Sequence, residues 1–314
     1  MEPEKKATRD GYGIGLVEAG KNKDVVALDA DLAESTRSIK FAEKYPERFF
    51  EMGISEQDMI GTAGGLAASG KIPFASSFAC FVTGRSFGQV RLMAAISDLN
   101  VRVVGSHAGI LTGEDGATHQ ALEDISLMRT LANMAVIQPA DAVEAEKAVL
   151  ALVKHKGPAY LRLGRGKVQV IHDKNYKFEI GKGDLLKQGK DVTIIATGAL
   201  VHEALKANEE LEKQKISARV INIHTIKPLD KDIIIKAAKE TGCIVTAEDH
   251  NIIGGLGSAV SEVLAENIPA PLERVGVKDK FGESGKPAEL YEKYGLTSND
   301  IIKAVKKVIG RKKR

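Results

Sequence analysis

The stretch that decides the fold is VRVVGSHAGILTGEDGATHQ, residues 101–120. Its first five residues are a short apolar run, which predicts a buried β-strand. Residues 107–120 follow that strand directly and are rich in glycine and polar side chains, so they lie at its carboxyl end. In open α/β sheets, ligands bind outside the carboxyl ends of the strands. This stretch therefore predicts a ligand-binding loop at the edge of an α/β sheet.

Outward from this stretch, apolar runs and amphipathic stretches alternate along the chain. Strands are predicted at residues 25–28, 74–78, 101–105, 135–138 and 159–163, and helices at residues 57–68, 87–96 and 143–152. Further strands are predicted at residues 192–196, 218–223, 244–247 and 274–277, and further helices at residues 200–212, 230–240, 257–265 and 298–309. Such alternation is typical of a mainly parallel sheet with helices on both faces.

The pattern is interrupted once, by a segment rich in lysine and glycine. A chain of 314 residues is long enough for two domains. We predict an α/β fold with two domains, at residues 1–170 and 191–314, each a mainly parallel sheet flanked by helices. Residues 171–190 are predicted to link them.

The composition excludes several classes of protein. Apolar residues make up 43% of the chain and the net charge is +3, which argues against disorder and against nucleic acid as a partner. Cys80 and Cys243 are too few for a disulfide framework, and no closely spaced Cys/His set offers a metal site. The charged N-terminus is unlike a signal peptide, and no run of about 18 apolar residues would cross a membrane. We expect a soluble, cytoplasmic protein that holds no metal itself.

Residues 53–59, GISEQDM, join a short apolar stretch to a helix rich in glycine and alanine. Ser55 is predicted to cap this helix, which places Glu56 in its first turn. The helix dipole favours a carboxylate there, so one interpretation is an acid that only stabilises the helix. Phe78 and Phe81 lie three residues apart in a later apolar segment, and simple core packing is the corresponding interpretation of that pair.

The loop at residues 107–120 carries His107, Asp115 and His119. These residue types can bind a metal, but a separation of twelve residues between the histidines gives no fixed chelate geometry. A solvated loop without function is the other alternative to a binding site.

Two of these segments resemble signatures of the transketolase family. Residues 53–59 resemble the Gly-Ile-x-Glu-x-x-Met stretch of its pyrimidine-binding domain, and residues 107–120 resemble its His-x-x-Ile-x-x-Gly-Glu-Asp-Gly-x-Thr-His-Gln signature. The resemblance covers residues 8–314 and implies a pyrimidine-binding domain followed by the family's C-terminal domain. It implies that a two-carbon ketol unit moves from a ketose phosphate to an aldose phosphate, with thiamine diphosphate as cofactor.

The resemblance implies the contacts with the cofactor. Glu56 would hydrogen-bond the ring nitrogen of the aminopyrimidine, a contact that prepares the cofactor as a nucleophile. Phe78 and Phe81 would wall the pyrimidine ring, with Phe81 stacked on it, and Asp31 would lie near the cofactor. A tyrosine or arginine often follows these aromatics in the family. We assign no such role here, because residues 83–85 make the segment one residue longer than in some relatives.

The resemblance also implies the contacts with the substrate. His107 and Asp115 would contact sugar hydroxyls, and His119 would lie near the carbonyl and C1 hydroxyl of the donor. His107 and His119 are therefore expected to be catalytic, together with Glu56. Polar groups that must pair with a substrate hydroxyl discriminate strongly against analogues that lack it. The residues expected to hold the substrate phosphate are Arg9, Ser35 and Arg165.

One part of a thiamine enzyme is missing from this sequence. Such enzymes hold the diphosphate through Mg²⁺ with a Gly-Asp-Gly motif, and no Gly-Asp-Gly occurs here. The resemblance therefore implies a partner, an N-terminal-section transketolase subunit that holds the diphosphate and Mg²⁺ or another divalent cation. By analogy with the family, two copies of each chain would form an α₂β₂ assembly, to which the second domain contributes structure and interface.

Three alternatives stay open at this point. 1-Deoxyxylulose-5-phosphate synthase shares the Asp-Gly-x-Thr-His core but usually has an arginine where His107 stands. The β subunit of the 2-oxoacid dehydrogenases is a separate chain of similar length but lacks the Gly-Glu-Asp-Gly-x-Thr-His run. A non-catalytic regulatory subunit would have no reason to keep Glu56, His107, Asp115 and His119 together.

Overall fold

The computed structural model describes residues 4–312, so residues 1–3 and 313–314 of the predicted domains lie outside the described part. Its strands are β1 (Lys5–Ala7), β2 (Val25–Asp29), β3 (Phe49–Glu51), β4 (Ile72–Phe78), β5 (Arg102–Ser106), β6 (Ala135–Ile137), β7 (Ala159–Arg162), β8 (Lys167–Gln169), β9 (Asp184–Lys187), β10 (Val192–Ala196), β11 (Ala218–Asn222), β12 (Thr225–Lys227), β13 (Ile244–Asn251) and β14 (Leu272–Val277).

Helices connect most of these strands. They are α1 (Thr8–Ala19), α2 (Ala33–Thr36), α3 (Ile39–Lys44), α4 (Glu56–Ala68), α5 (Phe87–Gln89), α6 (Asp124–Thr130), α7 (Ala142–Lys154), α8 (Leu200–Lys213), α9 (Lys231–Thr241), α10 (Leu256–Asn267), α11 (Pro287–Tyr294) and α12 (Ser298–Lys312). The chain also makes 3₁₀ turns at Pro46–Arg48 and Ile110–Asp115 and π-helical segments at Cys80–Arg85 and Val90–Ile96. Within the described residues, no helix has both the length and the apolar character needed to cross a membrane.

The larger sheet has seven strands in the order β12-β6-β7-β5-β4-β2-β3. All its neighbouring strands are parallel except β12, which runs antiparallel to β6 at one edge. Strands β2, β5 and β7 are buried along their whole length. Strands covered on both faces require continuous apolar runs, which explains why the sequence predicts them clearly.

The smaller sheet has five strands in the order β14-β13-β10-β11-β9, all parallel except β9, which is antiparallel to β11. The fold class predicted from the sequence, two mainly parallel sheets flanked by helices, is confirmed. The segment predicted as a linker, residues 171–190, contains β9, and the domain boundaries stay a prediction. Strand β12 follows β11 in the chain but pairs with β6, so the two domains share one sheet edge.

Helix α1 has no clear signal in the sequence, because it contains three glycines between residues 11 and 15. Each glycine lowers helix propensity by about 1 kcal/mol relative to alanine. The structure gives the reason for them: a Cβ on Gly11 would lie 1.9 Å from the carbonyl oxygen of Ala142 in α7. Helix α1 therefore packs directly on α7, and this contact fixes its first turn, which carries Arg9.

A buried charge network joins the first domain to the connecting segment. His172 Nδ1 lies 3.0 Å from Asp141 Oδ2, and its Nε2 lies 3.7 Å from Asp184 and 3.9 Å from Glu144. The Tyr176 hydroxyl forms hydrogen bonds with two of these acids, Glu144 and Asp184. Burial alone would lower the pKa of His172, but the polar contacts with Asp141 and Asp184 and the charge of Glu144 raise it to about 10. His172 is therefore the cation that balances these acids at neutral pH.

Replacing His172 with glutamine is expected to lower the free energy of unfolding by about 3 kcal/mol at neutral pH, because buried carboxylates lose their cation. The pKa of His172 is about 6.5 in the unfolded chain and about 10 in the folded chain. Its charge therefore stabilises the folded state fully below pH 6.5, and this stabilisation is lost as the pH rises through about 10. In urea unfolding, the difference between wild type and His172→Gln should therefore shrink from about pH 6 to pH 10. His155→Gln is the matched control, and a difference that does not change with pH would contradict the charge network.

Candidate active site

The predicted site residues meet at the carboxyl edge of the larger sheet. Phe78 is the last residue of β4, and His107 directly follows β5. Parallel strands present their carboxyl ends at the same edge, which is where ligands bind in such sheets. Arg9 reaches this edge from the first turn of α1, where Thr8 Oγ1 accepts a hydrogen bond from the backbone N–H of Gly164 at 2.7 Å.

An aromatic cluster forms the centre of the site. The ring centroid of Phe78 lies 3.9 Å from that of His107 and 5.8 Å from that of Phe81. The His119 ring meets the rings of Phe78 and Phe81 edge-on, at 5.7 and 5.3 Å. Phe78 is buried, whereas Phe81 and His119 are half-buried, so the cluster keeps one accessible side. The structure thus brings both predicted aromatics and both predicted histidines together.

Glu56 lies in the first turn of α4, and its side chain is only 2% exposed. Arg85 Nη1 donates to both of its carboxylate oxygens, at 2.9 and 3.1 Å. The same guanidinium covers Phe81, with Cζ 4.6 Å from the ring centroid. The prediction that Ser55 caps α4 with its side chain is wrong, because its hydroxyl donates to the carbonyl oxygen of Met52 at 2.6 Å instead.

His107 is buried and uncharged. Arg9 Nη1 lies 3.2 Å from its Nε2, and Ser106 Oγ lies 3.0 Å from its Nδ1. Because arginine can only donate, Nε2 accepts and Nδ1 carries the proton that it shares with Ser106. Burial, reinforced by the charges of Arg9 and Arg165, lowers the pKa of His107 to about 3. The His107 backbone has φ 56°, a left-handed conformation that is strained for a residue with a side chain.

Positive charge gathers beside the aromatic cluster. Arg9 Nη1 also donates to the carbonyl oxygen of Ser35 at 2.8 Å, so Ser35 joins the site through its backbone. Arg165 Nη1 pairs with Asp115 Oδ2 at 3.2 Å. Burial and the neighbouring arginines lower the pKa of Arg9, as expected where cations lie close together without full neutralisation.

Asp31 follows β2 at the same edge of the sheet, and its side chain is exposed. Its backbone N–H donates to Glu51 Oε1 at 2.8 Å. Within residues 4–312, no hydrogen bond connects Asp31 to the aromatic cluster. Its contact with a cofactor stays a prediction.

The second domain holds the site loop at residues 107–120. Asp249 in β13 accepts a hydrogen bond from the backbone N–H of Ile110 at 2.8 Å and another from the Tyr291 hydroxyl at 3.0 Å. A Cβ on Gly109 would lie 2.3 Å from Asp249 Oδ2, so this close approach requires a glycine, which also adopts φ 82°.

Arg162 fixes the end of the same loop. Its Nη2 donates to the carbonyl oxygens of Ala121 and Asp249, at 3.1 and 3.0 Å. Its Nε pairs with Asp124 at 2.7 Å, and both side chains of this ion pair are buried. Burial alone would lower the pKa of Arg162, but the charge of Asp124 raises it. Arg162 therefore remains a cation that connects the loop to the second domain.

The sequence does not predict a role for three residues of this site, namely Asp249, Arg162 and Arg85. Asp249 had a usable signal, since a carboxylate near the carboxyl end of a buried strand lies where sites form in α/β sheets. Arg85 carries no predicted role, because residues 83–85 make an unusually long connection. The structure accommodates this connection in a π-helical segment, whose turns are wider than those of an α-helix and which often marks functional sites.

The arrangement fits one end of thiamine diphosphate. A buried carboxylate beside an accessible aromatic ring suits an aminopyrimidine, which needs a partner for its ring nitrogen and a stacking surface. Within the described part of the chain, one group has metal-ligand spacing, namely Glu144, Asp184 and His224. Its two carboxylates are already hydrogen-bonded by Tyr176. Among the described residues, the pyrimidine end of the cofactor therefore has candidate ligands, and the diphosphate end has none.

The fold and the site together define a class, the α/β proteins with a pyrimidine-binding domain for thiamine diphosphate. Residues 4–170 match the family model for the transketolase pyrimidine binding domain, and residues 181–301 match that for the transketolase C-terminal domain. The chain therefore belongs to the transketolase family, as its sequence signatures predict.

Individual relatives agree with this assignment. The chain is 47% identical to a 6-deoxy-6-sulfo-D-fructose transketolase subunit of Clostridium sp. (strain MSTE9), over 97% of this chain and 95% of that protein. It is 42% identical to the transketolase of Rattus norvegicus over 98% of this chain but spans only 49% of the rat protein. A solved structure described as a split gene transketolase, inactive beta4 tetramer, superimposes with a TM-score of 0.92 at 49% identity, over 98% of this chain and 99% of that one. The prediction of a transketolase subunit is confirmed.

Replacing Asp249 with alanine is expected to loosen the loop at residues 107–120, because Ile110 and Tyr291 lose their acceptor. Losing hydrogen bonds to a buried carboxylate costs about 2–3 kcal/mol. Hydrogen exchange followed by mass spectrometry should show faster exchange in this loop, and Tyr291→Phe, which removes a single hydroxyl, should have a smaller effect. Unchanged exchange in Asp249→Ala would mean that the second domain does not hold the loop.

Proposed function

We propose that this chain is one half of a two-chain transketolase, active only when a diphosphate-binding partner subunit completes its site. The observation that carries the proposal is the buried carboxylate of Glu56 beside the accessible ring of Phe81, in a chain without a Gly-Asp-Gly motif. The partner is an N-terminal-section transketolase subunit, which holds the diphosphate through Mg²⁺ or another divalent cation. The donor is a ketose phosphate and the acceptor an aldose phosphate, as in pentose phosphate metabolism.

The residues at the aromatic cluster hold the pyrimidine end of the cofactor. When bound, thiamine diphosphate supplies the carbon nucleophile that attacks the carbonyl of the donor. Glu56 holds a proton at the pyrimidine ring nitrogen, and Phe81 stacks on the ring. Phe78 supports Phe81 from the buried side of the cluster, at a centroid distance of 5.8 Å. Asp31, which follows β2, contacts the cofactor as well.

The two histidines and Asp115 contact the sugar. His119 lies at the accessible side of the cluster, where it can reach the carbonyl and C1 hydroxyl of the donor. His107, uncharged because of burial, contacts a sugar hydroxyl together with Asp115. Nε2 of His107 contacts Arg9 and Asp115 pairs with Arg165, so the sugar must replace these internal contacts with its own hydroxyls.

Arg9 and Arg165 bind the phosphate of the substrate. The planar guanidinium binds phosphate through two parallel hydrogen bonds, and two neighbouring cations suit a dianion. Burial, together with the charges of Arg37 and Arg165, lowers the pKa of Arg9, and a bound anion would favour its charged form. Ser35 adds a polar group next to Arg9, whose Nη1 already contacts its carbonyl oxygen.

Two copies of this chain and two of the partner form an α₂β₂ assembly with two active sites. The relative described as a beta4 tetramer supports association between chains of this kind. We also place the protein in the cytoplasm, which is consistent with two free cysteines, Cys80 and Cys243.

A ketol-transfer assay with three samples tests the proposal. This chain alone and the purified partner alone are expected to be inactive, whereas the mixture with thiamine diphosphate and Mg²⁺ transfers a two-carbon unit from a ketose phosphate to an aldose phosphate. Both single chains lack half of the groups that hold the cofactor. Turnover by this chain alone would overturn the proposal.

Glu56→Gln in the assembled enzyme is expected to slow exchange of the cofactor C2 proton by about 100-fold or more, because glutamine cannot hold a transferable proton at the ring nitrogen. Proton NMR of deuterium uptake at C2 measures the rate directly. The matched control is Asp58→Asn, an exposed acid in the same helical turn, which should leave the rate unchanged. An unchanged rate in Glu56→Gln would exclude Glu56 from this role.

A further inference from the structure

The ion pair between Glu56 and Arg85 occupies the place where the proposed pyrimidine ring would lie. The Arg85 guanidinium donates to both oxygens of Glu56 and covers the ring of Phe81 at 4.6 Å. An aminopyrimidine needs these same two surfaces, the carboxylate for its ring nitrogen and the phenyl ring for stacking. The guanidinium and the pyrimidine cannot occupy these surfaces at the same time.

We propose that Arg85 is a positioning residue that holds Glu56 and covers Phe81 in the absence of the cofactor, and that its side chain must rotate away when the aminopyrimidine ring binds. The inference rests on the proposed function, since it assumes that Glu56 and Phe81 receive the pyrimidine. It assigns Arg85 a role in regulating access to Glu56, and none in the chemical step.

The burial of Glu56 requires such a cation. The carboxylate of Glu56 is only 2% exposed, and a buried charge without a partner is strongly unfavourable. Within residues 4–312, Arg85 is the single side chain that forms a hydrogen bond or ion pair with Glu56. Arg85 thus holds the carboxylate in place until the cofactor arrives.

The geometry also lets the Arg85 side chain leave without disturbing the helix. This side chain is 49% exposed, and its recorded hydrogen bonds within the described residues all go to Glu56. The backbone is held separately, because Gln57 Nε2 donates to the carbonyl oxygen of Arg85 at 3.0 Å. Rotation of the side chain into solvent therefore uncovers Glu56 and Phe81 while the π-helical segment stays fixed.

An internal competitor lowers the apparent affinity for a ligand, because only the open fraction of the molecules can bind it. A half-exposed ion pair is a weak competitor, so we expect a modest effect, about three- to tenfold in the dissociation constant of the cofactor. The sign of the change in affinity distinguishes the two possible roles of Arg85. Replacing a residue that holds the cofactor weakens cofactor binding, whereas replacing a competitor tightens it.

Calorimetry on the assembled enzyme tests this inference, with thiamine diphosphate titrated at saturating Mg²⁺. Arg85→Met should bind the cofactor about three- to tenfold more tightly than wild type, and Arg85→Lys should lie between the two. In a Glu56→Gln background, the same Arg85→Met substitution should have a much smaller effect, because the ion pair with Glu56 holds most of the guanidinium in place. Arg91→Met, which removes an exposed arginine six residues further along, should leave the affinity unchanged.

Weaker or unchanged cofactor binding in Arg85→Met would overturn the inference. So would equal tightening in the Glu56→Gln background, because the effect would then not pass through Glu56. If the wild-type assembly bound no thiamine diphosphate, the proposed function itself would fall, and the inference with it. These outcomes are distinguishable, because each concerns a different variant.

Discussion

The buried guanidinium of Arg162 is the contact on which the rest of the site depends. It pairs with Asp124 in the first domain and donates to the backbone of Asp249 in the second. Asp249 in turn holds the backbone of Ile110, at the start of the 3₁₀ turn that leads to Asp115. A buried cation must keep its partners, so this chain of contacts leaves the loop little freedom. The second domain thus supports the candidate active site, although none of its described residues contributes a side chain to the aromatic cluster.

The polar groups of the site are paired with one another, although Arg85, Asp115 and Arg165 stay partly exposed to solvent. Glu56 binds Arg85, His107 contacts Arg9 and Asp115 binds Arg165. In each pair, an arginine contacts a group that is proposed to bind the cofactor or the sugar. Binding then exchanges one set of hydrogen bonds for another, so specificity depends on how well the ligand reproduces the bonds that it replaces.

The sequence predicts the elements whose pattern reflects burial, and it misses those that depend on contacts between distant segments. The strands of the central sheet are continuous apolar runs, and the site residues on both signatures meet at its edge as expected. Helix α1 is hidden by its glycines, of which Gly11 and Gly15 pack against α7 and Gly13 packs against Arg37. Strand β9 alternates between half-buried and exposed residues, and β12 is three residues long, so neither has a strong local pattern.

Contacts between distant segments also limit what the sequence predicts about the site. A family resemblance names Glu56 but cannot show that Arg85 covers it, because that ion pair depends on the π-helical path of the chain between Cys80 and Arg85. Likewise, nothing in the local sequence around Asp249 shows that its carboxylate reaches the backbone of Ile110, 139 residues away in the chain.

The central claim is that this chain carries only the pyrimidine half of a thiamine diphosphate site. Isothermal titration of thiamine diphosphate and Mg²⁺ into the isolated chain, and into the chain assembled with its diphosphate-binding partner, tests it most directly. The account predicts little or no binding to the isolated chain and Mg²⁺-dependent binding to the assembly. Tight, Mg²⁺-dependent binding to the isolated chain would contradict it.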